Sequence, residues 1–311
     1  MTSKHILLSL LLFLVFSKVN SQEQQRPYIV VLGIAQDGGY PHAGCERDCC
    51  KKYYTGKEPR HFVSCLALVD PVSKQRWIFD CTPDFTFQLH LLDSLYPAKG
   101  RLIDGIFLTH AHIGHYTGLM YLGKEAMDTR GVPVYGMPDM MNYLSNNGPW
   151  SQLVKLKNIT LDSMIADKQI CIAEHIFVTP FYVPHRDEYT KTVGYKIAVN
   201  GSNIIFIPDI DKWQKWDRDI VKLVKENDLL FLDGTFYMNG EIVGRDMKEI
   251  PHPFIYESME LFKDLSAKDK AKIHFIHLNH TNSALINDSE SRKEIEKKGF
   301  HVANETEKYF F

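Results

Sequence analysis

Three histidines fall within six residues in the run Leu108-Thr109-His110-Ala111-His112-Ile113-Gly114-His115. They close an apolar stretch, residues 105–109, that reads as a strand. His110 and His112 alternate with Ala111, so an extended chain sends both side chains to one side. His115 opens the next turn. Neutral imidazoles gathered at a strand end suit a borderline-soft divalent cation. This constrains the fold more than any other feature, because one short segment cannot complete such a site alone. Several strand ends must meet at one place. His185 follows a strand expected over 176–183, Asp209 ends one over 203–208, and His277 ends one over 273–276. Each is a polar group just past an apolar run, where a sheet edge can hold it firmly.

The rest of the chain is read as strands over 28–34, 62–69, 76–80, 105–109, 132–135, 170–180, 193–199, 203–208, 229–233 and 273–277. They are rich in Val, Ile, Phe and Tyr and bounded by Gly, Pro, Asn or Asp. Helices are expected over 83–95 (with Thr82 as cap), 116–127, 139–146, 211–226, 256–265 and 289–298. The early strands follow one another and the helices fall mostly between later ones. That pattern predicts sheets covered by helices, not a purely parallel wound sheet. At 44% hydrophobic and 24% charged residues, the chain has an ordinary globular composition. Its net charge of −2 and lack of a basic run argue against a nucleic-acid partner and leave a small-molecule substrate.

The N-terminus reads as an export signal. Lys4 and His5 precede an apolar run over 6–16, and Val19 and Ser21 suit the −3 and −1 positions of a cleavage site. The expected cut lies after Ser21. That leaves 22–311 as one domain, secreted or periplasmic, and no longer attached to the membrane. The run is too short to span a bilayer comfortably.

Of the six cysteines, Cys45, Cys49 and Cys50 are clustered. Neighbouring cysteines meet the geometry of a mutual disulfide poorly, so a structural zinc is the preferred reading, with a disulfide or free thiols as the alternative. Cys65, Cys81 and Cys171 read as small buried core residues.

In order and spacing, His110, His112, His115, His185, Asp209 and His277 resemble the ligand pattern of the metallo-β-lactamase superfamily. The resemblance implies an α/β (α+β) fold, an αββα four-layer sandwich with the site at one edge. It implies a first metal on His110, His112, His185 and Asp209, and a second on His115 and His277, with Asp209 bridging. One departure stands out: the motif's aspartate is Gly114 here, so the second site is expected to lack a carboxylate and to bind weakly, or a single metal to be present. The implied activity is metal-dependent hydrolysis of an ester, amide or phosphodiester by metal-bound hydroxide, with Asp209 and His185 central to it. Asp233 is expected to accept a hydrogen bond from a ligand imidazole or merely to turn the strand end.

More closely, Val31-Leu32-Gly33-Ile34-Ala35-Gln36-Asp37-Gly38-Gly39-Tyr40-Pro41, Leu232-Asp233-Gly234-Thr235-Phe236, Gly244-Arg245-Asp246-Met247 and Phe275-Ile276-His277-Leu278-Asn279-His280-Thr281-Asn282 resemble the coenzyme PQQ synthesis protein B family. That branch suggests an iron-dependent oxidase or hydroxylase as the alternative activity, and a non-catalytic binding protein is a further one. The branch's best-known members replace much of the histidine motif, which this chain keeps. Phosphonate-pathway phosphodiesterases of the superfamily hold a structural zinc through three cysteines after the first strand and a histidine three residues past the last catalytic one. Here that resemblance implies Cys45, Cys49, Cys50 and His280, with His42 as a rival fourth ligand.

Overall fold

The structure, a computed structural model, describes residues 26–311 except Val243. The apolar run over 6–16 and the expected cut after Ser21 lie outside the described residues. Among those described, no helix is long and apolar enough to cross a membrane.

Two seven-stranded sheets carry the fold. The first contains β1 (Tyr28–Gly33), β2 (Cys65–Asp70), β3 (Gln75–Phe79), β4 (Gly105–Phe107), β5 (Val132–Gly136) and β6 (Ile159–Ser163), with β14 (Lys308–Phe310) paired on β1. The second runs from β7 (Ile170–Ala173) through β8 (Ile176–Tyr182), β9 (Val193–Val199), β10 (Ser202–Ile207), β11 (Leu229–Asp233) and β12 (Ile273–Ile276) to β13 (His301–Val302). In each sheet the early strands pair antiparallel, whereas β3 to β6 and β10 to β13 run parallel.

The layering follows from strand alternation. In β1, Ile29 and Val31 enter the core between the sheets, together with Phe79 and Phe107 and with Val178, Ile197 and Phe206 of the second sheet. Tyr28, Val30 and Leu32 turn to the other face. That outer face packs under α1 (Phe85–Leu95) and α3 (Pro138–Asn146), through Leu89, Leu92, Met140 and Leu144. The second sheet is covered by α4 (Ile220–Glu226), α5 (Ile255–Leu261) and α6 (Glu290–Lys297), which bury Val224, Met259 and Ile295. Strands buried on both faces are continuous apolar runs, which is why they stood out in the sequence. The architecture is the expected αββα sandwich.

Several elements differ from expectation. Residues 170–180 form two strands, β7 and β8, reversing at Glu174-His175, where His175 takes φ +60°. Because β7 is the edge of its sheet, Cys171 is exposed rather than a core residue, unlike Cys65 and Cys81. The helix expected over 116–127 is the single turn α2 (Ile113–Tyr116) followed by a 3₁₀ stretch, Thr117–Leu122. A Cβ at Gly118 would stand 2.1 Å from the Thr82 carbonyl, so only glycine fits where this stretch passes its neighbour. The helix over 211–226 starts only at Ile220, because Asp219 caps it by accepting from the Val221 and Lys222 amides.

The parallel strands fix where a site can form. The C-terminal ends of β3, β4, β10, β11 and β12 open onto one seam between the sheets, the place where open α/β sheets commonly bind ligands. Tyr195 on β9 crosses the core there and donates its buried hydroxyl to the Leu108 carbonyl at 2.6 Å. The Val193 amide donates to Thr109 O at 3.1 Å, and the Ala111 amide to Thr190 Oγ1 at 2.9 Å. The histidine segment is thus tied to the opposite sheet. Tyr195→Phe leaves the buried Leu108 carbonyl without this donor and is expected to cost about 1–3 kcal/mol in urea unfolding. A midpoint unchanged from wild type would mean that this crosslink does not matter.

Candidate metal centre

The strand ends bring the separated residues together. Ligand-capable atoms of His110, His112, His185 and Asp209 all lie within 4.8 Å of one another. His110 Nε2 is 2.8 Å from His112 Nδ1, which is 3.3 Å from His185 Nε2. Asp209 Oδ2 lies 3.2 Å from His185 Nε2 and 3.4 Å from His110 Nε2. It also stands 3.9 Å from His115 Nε2, so it faces a second cluster. That cluster holds His115, His277 and a residue the sequence had not suggested, Asp37. Asp37 Oδ1 sits 3.2 Å from His115 Nε2 and 3.2 Å from His277 Nε2. The expectation that the second cluster lacks a carboxylate beyond Asp209 is therefore wrong. Asp37 lies in the loop after β1, within a block quoted above, but a lone loop aspartate gives no periodic signal.

Each imidazole is oriented from behind, as metal-binding histidines commonly are. Asp80 Oδ2 is 2.7 Å from His115 Nδ1. Thr109 Oγ1 is 3.0 Å from His110 Nδ1 and donates to Asp80 Oδ1 at 2.9 Å. Glu188 Oε2 is 2.9 Å from His112 Nε2, which leaves Nδ1 of that ring facing inward. Asp211 Oδ1 lies 3.3 Å from His185 Nδ1. Asp233 does not touch a ligand imidazole directly. Its Oδ1 accepts from Thr235 Oγ1 at 2.7 Å, and Thr235 Oγ1 is 3.0 Å from His277 Nδ1. These acceptors fix the tautomers so that the remaining ring nitrogens point at the two clusters. Asp80 and Asp211 were not foreseen, since the sequence places them only as the last residue of a strand over 76–80 and the first of a helix over 211–226. Asp80 and His277 both adopt left-handed backbone, φ +66° at each. Such conformations are rare outside glycine and gather at functional sites.

His252 completes the seam. Its Nδ1 lies 2.8 Å from Asp233 Oδ2 and 3.3 Å from Asp209 Oδ1.

The electrostatics follow from burial against pairing. Burial raises the Asp37 carboxyl, but hydrogen bonds from His115 and His277 outweigh it and hold it well below the usual carboxylate range. Burial opposes charge on His185, yet Asp209 and Asp211 push it up to about 10. Burial, reinforced by His115, holds His110 well below its usual value. His115, bracketed by Asp80 and Asp37, rises well above it despite burial. Imidazole nitrogens and carboxylate oxygens facing inward form two groups of a size that fits a divalent cation, with Asp209 positioned between them.

A separate cluster lies beside the second site. One atom each from Cys45, Cys49, Cys50 and His280 falls within the same 4.8 Å limit. The described cysteines are free thiols, and Cys45 Sγ lies 3.6 Å from Cys49 Sγ. Both ring nitrogens of His280 are buried without a hydrogen-bond partner. Burial, with His42 and Arg47 nearby, lowers His280 to about 4 and keeps the ring neutral. Orphaned imidazole nitrogens beside three thiols fit a closed tetrahedral zinc site. His42, the rival ligand, stacks on His280 with ring centroids 4.3 Å apart, outside the cluster.

With the geometry in hand, comparison with known proteins fixes the class. The family model described as a beta-lactamase superfamily domain matches residues 75–275, and the chain belongs to that superfamily, with the metallo-β-lactamase fold. Within it, the chain is 24% identical over 303 residues to coenzyme PQQ synthesis protein B of Methylobacterium sp. (strain 4-46), covering 89% of this chain and 97% of the relative. The structure of zinc-bound PqqB from Methylobacterium extorquens superposes with a TM-score of 0.78 at 21% identity, covering 91% of this chain and 100% of that one. A diphosphatase from the PhnP family superposes at 0.63 and 20% identity, covering 92% and 97%. The matched span of the family model begins after Asp37 and ends before His277.

Cys50→Ser is expected to remove about one zinc per chain and lower the melting temperature, since binding energy at a structural site is folding energy. Metal analysis and calorimetry check both. A disulfide involving Cys45 or Cys50, found by mass spectrometry of unreduced, alkylated protein, overturns the assignment.

Proposed function

We propose that this chain is a metal-dependent hydrolase of a small-molecule ester, amide or phosphodiester. The observation that carries the reading is the pair of ligand clusters facing one carboxylate, Asp209, with every imidazole braced from behind. A divalent cation in such a site supplies Lewis acidity toward a carbonyl or phosphoryl oxygen and lowers the pKa of water. The chain's own residues do the rest. His110, His112, His185 and Asp209 form the first binding set. Asp80, Glu188, Asp211 and Thr109 hold the rings in their working tautomers. Asp209 Oδ2 faces both sets and fixes their separation. His252 holds a proton on Nδ1 between Asp233 and Asp209, beside the place where a substrate would react.

The similarity to coenzyme PQQ synthesis protein B favours a competing reading, an iron-dependent oxidase or hydroxylase, because an imidazole-rich set also suits iron. Metal identity separates the two. Purified full-length protein is expected to carry zinc and to hydrolyse at least one of 4-nitrophenyl acetate, an acyl 4-nitroanilide and bis(4-nitrophenyl) phosphate. A chelator should abolish turnover and zinc restore it. Iron as the bound metal, with oxygen uptake and no hydrolysis, selects the oxidase.

His112→Ala and His185→Ala are each expected to lose one catalytic ion per chain, with circular dichroism unchanged. Their turnover should fall by more than about 100-fold, since removing only an outer partner of a ligand already costs about 10–100-fold. Normal metal content with normal turnover in either variant rules out the ligand set.

A further inference from the structure

The metallo-β-lactamase motif places an aspartate where this chain has Gly114. The structure shows what occupies that space. A Cβ built at position 114 would stand 2.3 Å from Asp37 Oδ1, 2.7 Å from its Cγ and 2.6 Å from its Cα. Real Cβ atoms do not approach other heavy atoms so closely, and here part of the obstacle is backbone, which cannot swing aside. Any side chain at 114 and the present Asp37 therefore exclude each other.

We propose that Asp37 is the second site's carboxylate ligand, delivered from the loop after β1 into the space vacated at Gly114, so that the two positions form an exchanged pair. The inference rests on the metal-dependent reading above and deepens it. Asp37 Oδ1 is equally distant, 3.2 Å, from the Nε2 atoms of His115 and His277. Its side chain is only 22% exposed, and it lies with both histidines in one ligand-sized cluster. Glycine in a helical turn is less favourable than alanine by about 1 kcal/mol. Its presence at 114, inside Ile113–Tyr116, is accounted for by the carboxylate that presses on it.

The loop that carries Asp37 is latched to the segment that carries His277. The Gln36 amide donates to Leu278 O at 2.8 Å, and the Leu278 amide donates to Ile34 O at 2.8 Å. Asn279 Nδ2 also donates to Gln36 Oε1. Asp37, in the loop after β1, is thereby held against His277, at the end of β12 in the other sheet, and His115 meets them from beyond β4 in the same sheet as β1.

The assignment is testable at both positions in the full-length protein. Wild type, Asp37→Ala, Asp37→Asn and Gly114→Asp are each titrated with zinc and then with cobalt(II). Metal per chain is read by mass spectrometry, and site occupancy by the cobalt absorption bands. The cysteine cluster is unaltered throughout, so differences report the histidine sites. Asp37→Ala is expected to retain the first ion and weaken the second by at least about 10-fold, the lower bound for disturbing even an outer partner. Gly114→Asp alone should also lose the second ion, because both carboxylates compete for one space. Asp37→Asn keeps the shape but not the charge, and should bind the second ion more weakly than wild type. Asp37→Ala or Asp37→Asn with wild-type stoichiometry and affinity overturns the proposal, and so does loss of both ions together in Asp37→Ala. Gly114→Asp that binds the second ion as wild type does overturns the exclusion. If Gly114→Asp does not fold, the two Asp37 variants decide. Wild-type protein that takes up no metal at its histidines overturns the hydrolase reading itself, a result distinct from all of these.

Discussion

The structure depends on one crowded contact, the meeting of several imidazoles and two carboxylates at a buried seam. Like groups packed this closely cannot keep their aqueous behaviour. His110 is driven toward neutrality while His115 and His185 are driven toward charge. Protons on the inward nitrogens and cations between them compete for one space, so metal uptake here must release protons. The sandwich supplies the rigidity such a contact needs. Five strand ends converge on the seam, and the Tyr195–Leu108 hydrogen bond holds the sheets in step at the histidine segment.

Most of the inward-facing residues were legible in the sequence for a physical reason. His110, His112, Asp209 and His277 each stand just past a strand whose last residues are buried on both faces, and such strands announce themselves as unbroken apolar runs. His185 follows a strand that alternates buried and half-buried residues before it ends. Position then carried the inference. The cysteine cluster was legible through the crowding of Cys45, Cys49 and Cys50, and the structure adds that His280, rather than His42, faces the thiols.

What was not legible depends on tertiary contact. Strands β6, β13 and β14 are short, and β13 and β14 lie near the chain's end, where pairing with β12 and β1 makes them strands. The brackets from Asp80, Asp211 and Glu188 read as a strand end, a helix start and a loop acid until the fold sets them behind a ring. Asp37 is the clearest case. Gly114 reads as a missing ligand when its own segment is considered alone, because the carboxylate that fills its place comes from a different part of the chain.

The provenance of the two ligand sets has a consequence for how the chain is closed. His110, His112, His185 and Asp209 all belong to the middle of the chain, whereas Asp37 comes from its beginning and His277 from near its end. A group bound between Asp37 and His277 would close a loop of 240 residues, whereas the first set lies within residues 110–209. Because closing a longer loop removes more freedom from the unfolded chain, occupation of the second set would tie distant parts of the chain together.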